Sequence, residues 1–356
     1  MNMPKSHVIT PDFTQVNFNN EYEQSLNFQP KDTTIVNGLT EQGWAYLWHM
    51  LFYPISIGGT LLEVQYVPRD TLEKTDEAKY DRPVYQLAPL DTHIFGMFKA
   101  LISQPTESWF SLWKGQFNSR LHQVCLELLQ ATLEGIIHAG FNVSVPISHV
   151  VTKMASQVTS RLLLTPLEMA NTRLMVQTSF ADKPKYKGLI HCLRTIIAEE
   201  GFGALYQLPI LLSTVIIESM SAIDWETIFE SQYAHGKKPT KLFWTGFLSY
   251  LALSCIVAHP MGTIRSRLQC QITTTAARKN FKTVVRTCQV PYAGIWDCGR
   301  RILTEESHKK GNSLNWQGLW INIGLPVNIL LWGFALGFPM CHQGYYKYYG
   351  LDRVQL

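Results

Sequence analysis

Residues 165–177 read TPLEMANTRLMVQ, and residues 256–271 read IVAHPMGTIRSRLQCQ. Laid on one another, Pro166 meets Pro260, Arg173 meets Arg267 and Gln177 meets Gln271. A fainter copy, FYPISIGGTLLEVQ at residues 52–65, sets Pro54 and Gln65 at the same offset. The stretches that follow also match. KYKGLIHCLRTIIAEEGFGALYQ begins at Lys185, and PYAGIWDCGRRILTEES begins at Pro291. Each carries aromatic-x-Gly, a cysteine six positions after the aromatic, an arginine-bearing helical pattern and a Glu-Glu pair. The first copy keeps only the end of this unit, THIFGMFKALISQPTESWFSLWKGQ. Repetition at a fixed, long period means repeated structural units. Each unit reads as an apolar helix ending in a proline bend, a short amphipathic surface helix and a second apolar helix.

The chain has 356 residues, 46% of them hydrophobic and 16% charged, against roughly 25% charged in soluble domains. Residues 44–62, 203–217, 242–264 and 318–341 contain no Asp, Glu, Lys or Arg. Most of these runs reach the roughly 17–25 residues that cross a hydrocarbon core. The expectation is an all-α membrane protein, with six transmembrane helices from three repeats. A net charge of +4, with no basic stripe interleaved with aromatics, is too weak to argue for nucleic acid, and no nucleic-acid partner is expected.

Seven cysteines (Cys125, Cys192, Cys255, Cys270, Cys288, Cys298 and Cys341) form no CxxC pair, which fits buried reduced thiols. His49, His138 and His259 lack ligand spacing, so no metal is expected. No GK[ST] loop, GxSxG or HExxH occurs, which argues against an enzyme and against a cofactor. Residues 1–43 are polar, lacking both the apolar stretch of a signal peptide and the acid-poor character of a presequence.

The proline motif, the later aromatic-x-Gly and the Glu-Glu resemble the mitochondrial carrier family, over nearly all of residues 44–346. The resemblance implies a six-helix barrel of three pseudo-symmetric carrier repeats. It divides the chain into a tail at 1–43, repeats at 44–145, 146–235 and 240–346, and a short tail at 347–356. It also implies gate positions two and five places after each proline, where an acid on one helix pairs with a base on the next. Those positions hold Ser56 and Gly59, Glu168 and Asn171, and Gly262 and Arg265. One bridge, Glu168 to Arg265, is expected where three would close a transporter. The residual gate and motif positions are therefore Pro54, Pro166, Glu168, Arg173, Pro260, Arg265 and Arg267.

Gln123, Glu127, Gln130, Glu134 and His138 fall at helical steps of four and three, on one face. His149, Lys153, Ser156 and Ser160 repeat the pattern. Ionisable groups are costly in lipid, so both stripes are expected to face the interior, with Lys153 bridging Glu127 or Glu134.

The first repeat also carries a charged insertion at 66–92. LLEVQYVPRD at 61–70 and SLWKGQ at 111–116 resemble a fungal outer-membrane branch of the carriers that acts in mitochondrial fusion. That resemblance implies a multi-pass protein of the mitochondrial outer membrane. It further implies an adaptor between outer- and inner-membrane dynamin-related fusion GTPases, in contact with membrane lipids and as a homodimer. The alternatives are a solute transporter with an altered salt-bridge gate, or a lipid scramblase or membrane insertase using the polar stripe.

Overall fold

The computed structural model describes residues 33–68, 83–87, 94–104, 107–140, 146–179, 184–221, 241–306 and 316–320. Contacts divide the chain into two units, Met1–His49 and Met50–Leu356, and every contact below lies within the second. Residues 1–32 of the expected tail, the middle of the insertion, most of the run 318–341 and Cys341 lie outside the described residues, whereas residues 33–43, expected as part of the polar tail, form the first turns of a long helix.

The described elements are helical. The long ones are α1 (Thr33–Val64), α3 (Gln116–Gly140), α4 (Pro146–Val176), α6 (Leu208–Ser221) and α7 (Lys241–Cys270). The short ones are α2 (Ile94–Ser103), α5 (Leu189–Glu200), α8 (Thr275–Lys279), α9 (Ile295–Glu305) and α10 (Trp316–Leu319), with 3-10 turns at Trp109–Trp113 and Phe202–Tyr206. Helix α3 packs on α4, α6 packs on both α4 and α7, α5 packs on α4, and α9 packs on α7.

The expectation that each odd helix ends at its proline does not hold. Pro54, Pro166 and Pro260 lie inside α1, α4 and α7, which run on to Val64, Val176 and Cys270. Proline removes one N–H and crowds one carbonyl, at about 3 kcal/mol in an unsupported helix. Here the turns beyond each proline are gripped by side chains of a neighbouring repeat, so the helix continues past the defect.

Among the described residues two helical stretches are long and apolar enough to cross a membrane, Phe202–Met220 and Trp244–Cys270, and only 33% and 25% of their most apolar parts is buried. The rest of each apolar surface faces outward. Polar residues do the reverse. Ser156, Ser160, Ser213, Thr214 and Thr263 are fully buried, while Val151, Leu163, Leu212, Leu248 and Ile256 are 47–61% exposed. Small polar residues inside and large apolar ones outside is the pattern of helices packed in lipid.

The surface helices follow the opposite rule. Cys192 with Ile196 in α5, and Cys298 with Ile302 in α9, are fully buried pairs four residues apart. They join Met169, Ala170, Ile264 and Leu268 in one cluster spanning the second and third repeats. A second cluster gathers Tyr53, Ile57, Leu61, Met97, Leu101, Met175 and Val176 around the first repeat.

One turn between these elements is tightly constrained. Gly115 has φ +82, and an added Cβ would sit 3.1 Å from Tyr53 Oη, 3.2 Å from Asn171 Oδ1 and 3.2 Å from Met175 Cγ. Tyr53 Oη donates to the Lys114 carbonyl at 2.9 Å, fixing the turn against α1. Gly115→Ala is expected to cost about 1–2 kcal/mol from the left-handed backbone alone. Thermal unfolding in detergent should register this as a melting point lower by a few degrees, and an unchanged melting point would contradict the tight turn.

Candidate functional site: the ends of the proline helices

The structure brings Glu168 and Arg265 together: Arg265 Nη2 stands 3.2 Å from Glu168 Oε1, with both side chains 17% exposed. The pair joins α4 to α7. Around it, Glu168 Oε2, Arg265 Nη1, Asn171 Oδ1 and Gln269 Nε2 are buried with no hydrogen-bond partner. Each unmet polar atom costs roughly 1–3 kcal/mol. Partly exposed and incompletely bonded within the described chain, the pair is held less completely than a fully buried, fully bonded one.

The motif arginines are differently placed. Arg173 is fully buried. Its Nε donates to the Gln269 carbonyl at 3.0 Å and its Nη2 to the Gln271 carbonyl at 2.9 Å. The same guanidinium forks onto Glu200, with Nη2 to Oε2 at 3.2 Å, and Nη1 reaches Tyr186 Oη at 3.4 Å. Arg267 repeats the arrangement on the next helix. Its Nε and Nη2 donate to the Glu63 and Gln65 carbonyls, each at 2.8 Å. Its guanidinium forks onto Glu306, with Nη2 to Oε2 at 2.9 Å, and touches Tyr292 Oη at 3.3 Å.

Carbonyls in the last turn of a helix have no partner within it and carry its negative end. The planar, five-donor guanidinium satisfies two of them and a carboxylate at once. Arg173 on α4 thereby holds the end of α7, and Arg267 on α7 holds the end of α1. The glutamines complete each unit. Gln177 accepts from Tyr186 N–H at 2.8 Å and donates to its carbonyl at 2.9 Å, and Gln271 grips Tyr292 in the same way at 2.8 and 3.4 Å.

By this register the third clamp should come from residue 61, which is leucine. Lys114 stands in for it, donating to the Gln177 carbonyl at the end of α4. Lys114 Nζ lies 3.8 Å from Glu107 Oε2. Glu107 in turn accepts from Thr178 Oγ1 at 3.0 Å, Ser179 N–H at 2.7 Å and Ser111 Oγ at 2.7 Å. An ammonium is a single point charge, so this clamp grips one carbonyl where an arginine grips two. Gln65, the counterpart of Gln177 and Gln271, is buried with both amide atoms unmet.

Burial raises the pKa of Tyr186 and Tyr292 above the ordinary tyrosine value, and it pushes the Cys192 and Cys298 thiols up to about 12. These thiols are structural and unreactive at neutral pH. Among the described residues no group of three or more His, Cys, Asp or Glu could hold a metal ion.

The polar stripe lies along α3. Gln123 donates to Glu127 at 2.9 Å, Gln130 to Glu134 at 3.1 Å, and Ser156 of α4 to Glu134 at 3.0 Å. Glu127 and His138 are exposed, and Gln123, Gln130, Glu134 and Lys153 half-buried. A further pair that sequence reasoning missed links α4 to α6: Arg161 Nε is 3.4 Å from Glu218 Oε1, and Gln157 donates to Glu218 at 2.9 Å. Also missed were the partners Glu200, Glu306, Glu107 and Lys114. The matching Glu-Glu pairs were the available signal for the first two.

Residues 143–220 match the family model for mitochondrial carrier proteins. The chain is 24% identical to solute carrier family 25 member 48 of Bos taurus, over 61% of this chain and 62% of the relative. It is 28% identical to ADP/ATP translocase 2 of Tachyglossus aculeatus aculeatus, over 48% of this chain and 53% of the relative. It is 26% identical to solute carrier family 25 member 43 of Mus musculus, over 49% of each. The chain thus spans between about half and three fifths of the length of these relatives. The matches support kinship with the mitochondrial carriers and a mitochondrial membrane location.

The Glu107 clamp has a pH signature. Burial alone would raise the Glu107 carboxyl, but Lys114 and the bonds from Ser111 and Ser179 outweigh it and hold it below the ordinary glutamate range. Burial also holds Lys114 below the usual lysine range, with Glu107 opposing. A carboxyl depressed by folding contributes in full above its unfolded value, about 4.3, and loses that contribution as pH falls through its folded value. The melting point of the wild type should therefore fall more steeply than that of Glu107→Gln as pH drops from 6 into the acid range, roughly below 4.3. Parallel curves would contradict the assignment.

Proposed function

We propose that this chain is a carrier-like membrane scaffold of mitochondria, acting in mitochondrial fusion and not in solute exchange. The reading rests on one contrast. Two buried arginine clamps that hold helix ends together are intact, at Arg173–Glu200 and Arg267–Glu306. Of the six gate positions, only Glu168 and Arg265 keep a charge. A transporter needs ion pairs that form in one state and break in another, because only differential interactions drive a conformational change. The interactions that define the fold are kept, and those that would switch it are reduced to a single half-satisfied pair.

On this reading the protein sits in the outer membrane and joins outer- and inner-membrane dynamin-related GTPases. Residues 1–43 and 66–92 are its partner-facing segments, the helices are its anchor in lipid, and homodimer formation is part of the assembly. A second reading, a solute transporter with a reduced gate, is favoured by the 3.2 Å contact of Arg265 with Glu168 and by the transporters among the relatives.

The test is mitochondrial content mixing in cells lacking the protein, with outer and inner compartments followed by separate dyes. Re-expression of the Glu168→Ala/Arg265→Ala double variant is expected to restore mixing to the wild-type level. Normal mixing in the absence of the protein overturns the fusion role. Mixing that wild type restores and the double variant does not, together with solute exchange by the wild type in proteoliposomes, favours the transporter.

A further inference from the structure

The third repeat carries an extra length of chain. Gln271 and Tyr292 are 21 positions apart, whereas their counterparts Gln177 and Tyr186 are 9 apart. The added residues cross to the other two repeats. Thr178 N–H, at the end of α4, donates to the Lys282 carbonyl at 3.0 Å, and Val284 N–H donates to the Val176 carbonyl at 2.9 Å. On the other side, Tyr66 N–H, at the end of α1, donates to the Arg286 carbonyl at 2.7 Å, and Leu87 N–H donates to the Val284 carbonyl at 2.8 Å. Gln177 and Thr283 form an antiparallel bridge.

Side chains seat the same segment. Val284 and Val285 are each 1% exposed, within the cluster of Tyr53, Ile57, Leu61, Met175 and Val176. Leu61 is the position where the other repeats have their clamp arginine. Lys282 Nζ lies 5.6 Å from the ring centre of Tyr85. Arg278 closes the base of the loop, its Nε donating to the Ile272 carbonyl at 3.1 Å while its Nη1 donates to that of Gln289. Beside the segment lies a polar cavity of about 130 Å³ lined by Val64, Tyr85, Arg267, Arg278, Thr283 and Thr287. The segment is therefore held by its two valines, by Phe281 against the Tyr186 ring at 5.5 Å and by its backbone bonds, with this cavity along one side.

We infer that residues 281–290 are a strap that staples the end of α1 to the end of α4, closing the one junction between repeats that lacks an arginine clamp. Any motion that parts these helix ends must first lift the strap. It locks the side that the single lysine holds least firmly. The inference goes beyond the fusion reading and stands for scaffold or transporter alike, because its test reads helix-end opening and neither fusion nor exchange.

Hydrogen exchange by mass spectrometry on the full chain in nanodiscs tests it. In the wild type, peptides covering 64–68, 176–179 and 282–286 are expected to exchange slowly. Val284→Ala/Val285→Ala should speed exchange by about tenfold or more in all three, while peptides covering 196–206 and 264–271, at the Arg173 clamp, keep wild-type rates. Acceleration confined to 281–290, with 64–68 and 176–179 unchanged, overturns the strap. If the double variant also loses protection at the Arg173 clamp, Arg278→Gln, which frees the base of the loop without touching the core, decides by the same helix-end peptides: faster exchange supports the strap and unchanged exchange overturns it.

Discussion

A fully buried guanidinium that bonds two helix-end carbonyls and a buried carboxylate at once is the interaction on which the rest of this structure depends. Arg173 and Arg267 each do this across a repeat boundary. Taking such charges out of water costs several kcal/mol per ion, and the cost is recovered only when nearly every donor and acceptor is met. Both arginines satisfy that condition, with Glu200 and Glu306 as counter-charges. The helices can then run ten residues past a proline, because their last turns are fixed from outside. The amphipathic helices α5 and α9 follow from the same geometry, since each ends on or beside the glutamate its arginine holds.

The first repeat shows what happens when that interaction is lost. With leucine at 61, the Gln177 carbonyl is met by Lys114, Glu107 turns to hydroxyls and an N–H, and Gln65 has nothing to grip. The hydrophobic core that Leu61 joins is also where the third repeat places Val284 and Val285. An arginine clamp, a lysine substitute and a strap are three physically different answers to the same exposed helix ends. Against them the Glu168–Arg265 pair is modest: partly exposed and surrounded by unmet polar atoms.

Much of this was legible from residue spacing. The match of Pro166, Arg173 and Gln177 with Pro260, Arg267 and Gln271 carries real information, because identical spacing on a helix fixes identical directions at its end. The Glu168–Arg265 contact was implied by the pairing order of the carrier family that the motif resembles, and the steps of three and four on α3 set Gln123 beside Glu127 and Gln130 beside Glu134, with Glu127 and His138 exposed. What was not legible lies across elements. The repeated Glu-Glu pairs were visible, but spacing alone does not join them to the motif arginines, 27 positions from Arg173 to Glu200 and 39 from Arg267 to Glu306. Arg161 and Glu218 meet across two helices that share no local pattern. Lys114 was hidden because it compensates for a residue that is absent, and the strap because an extra loop length does not announce where it lands. The prolines misled for a related reason: local chemistry argues for a helix stop, and distant side chains overrule it.

The central claim is that the arginine clamps carry the fold and the remaining gate pair does not. Thermal unfolding of two full-length variants in the same lipid nanodiscs compares them directly: Arg173→Met/Arg267→Met, and Glu168→Gln/Arg265→Gln. Stranding Glu200 and Glu306 as buried, unpaired carboxylates should cost about 3–5 kcal/mol each, so the clamp variant should melt far below the wild type or fail to fold. The gate variant should melt within a few degrees of it. A gate variant as unstable as the clamp variant, or a clamp variant that melts like the wild type, would contradict the account.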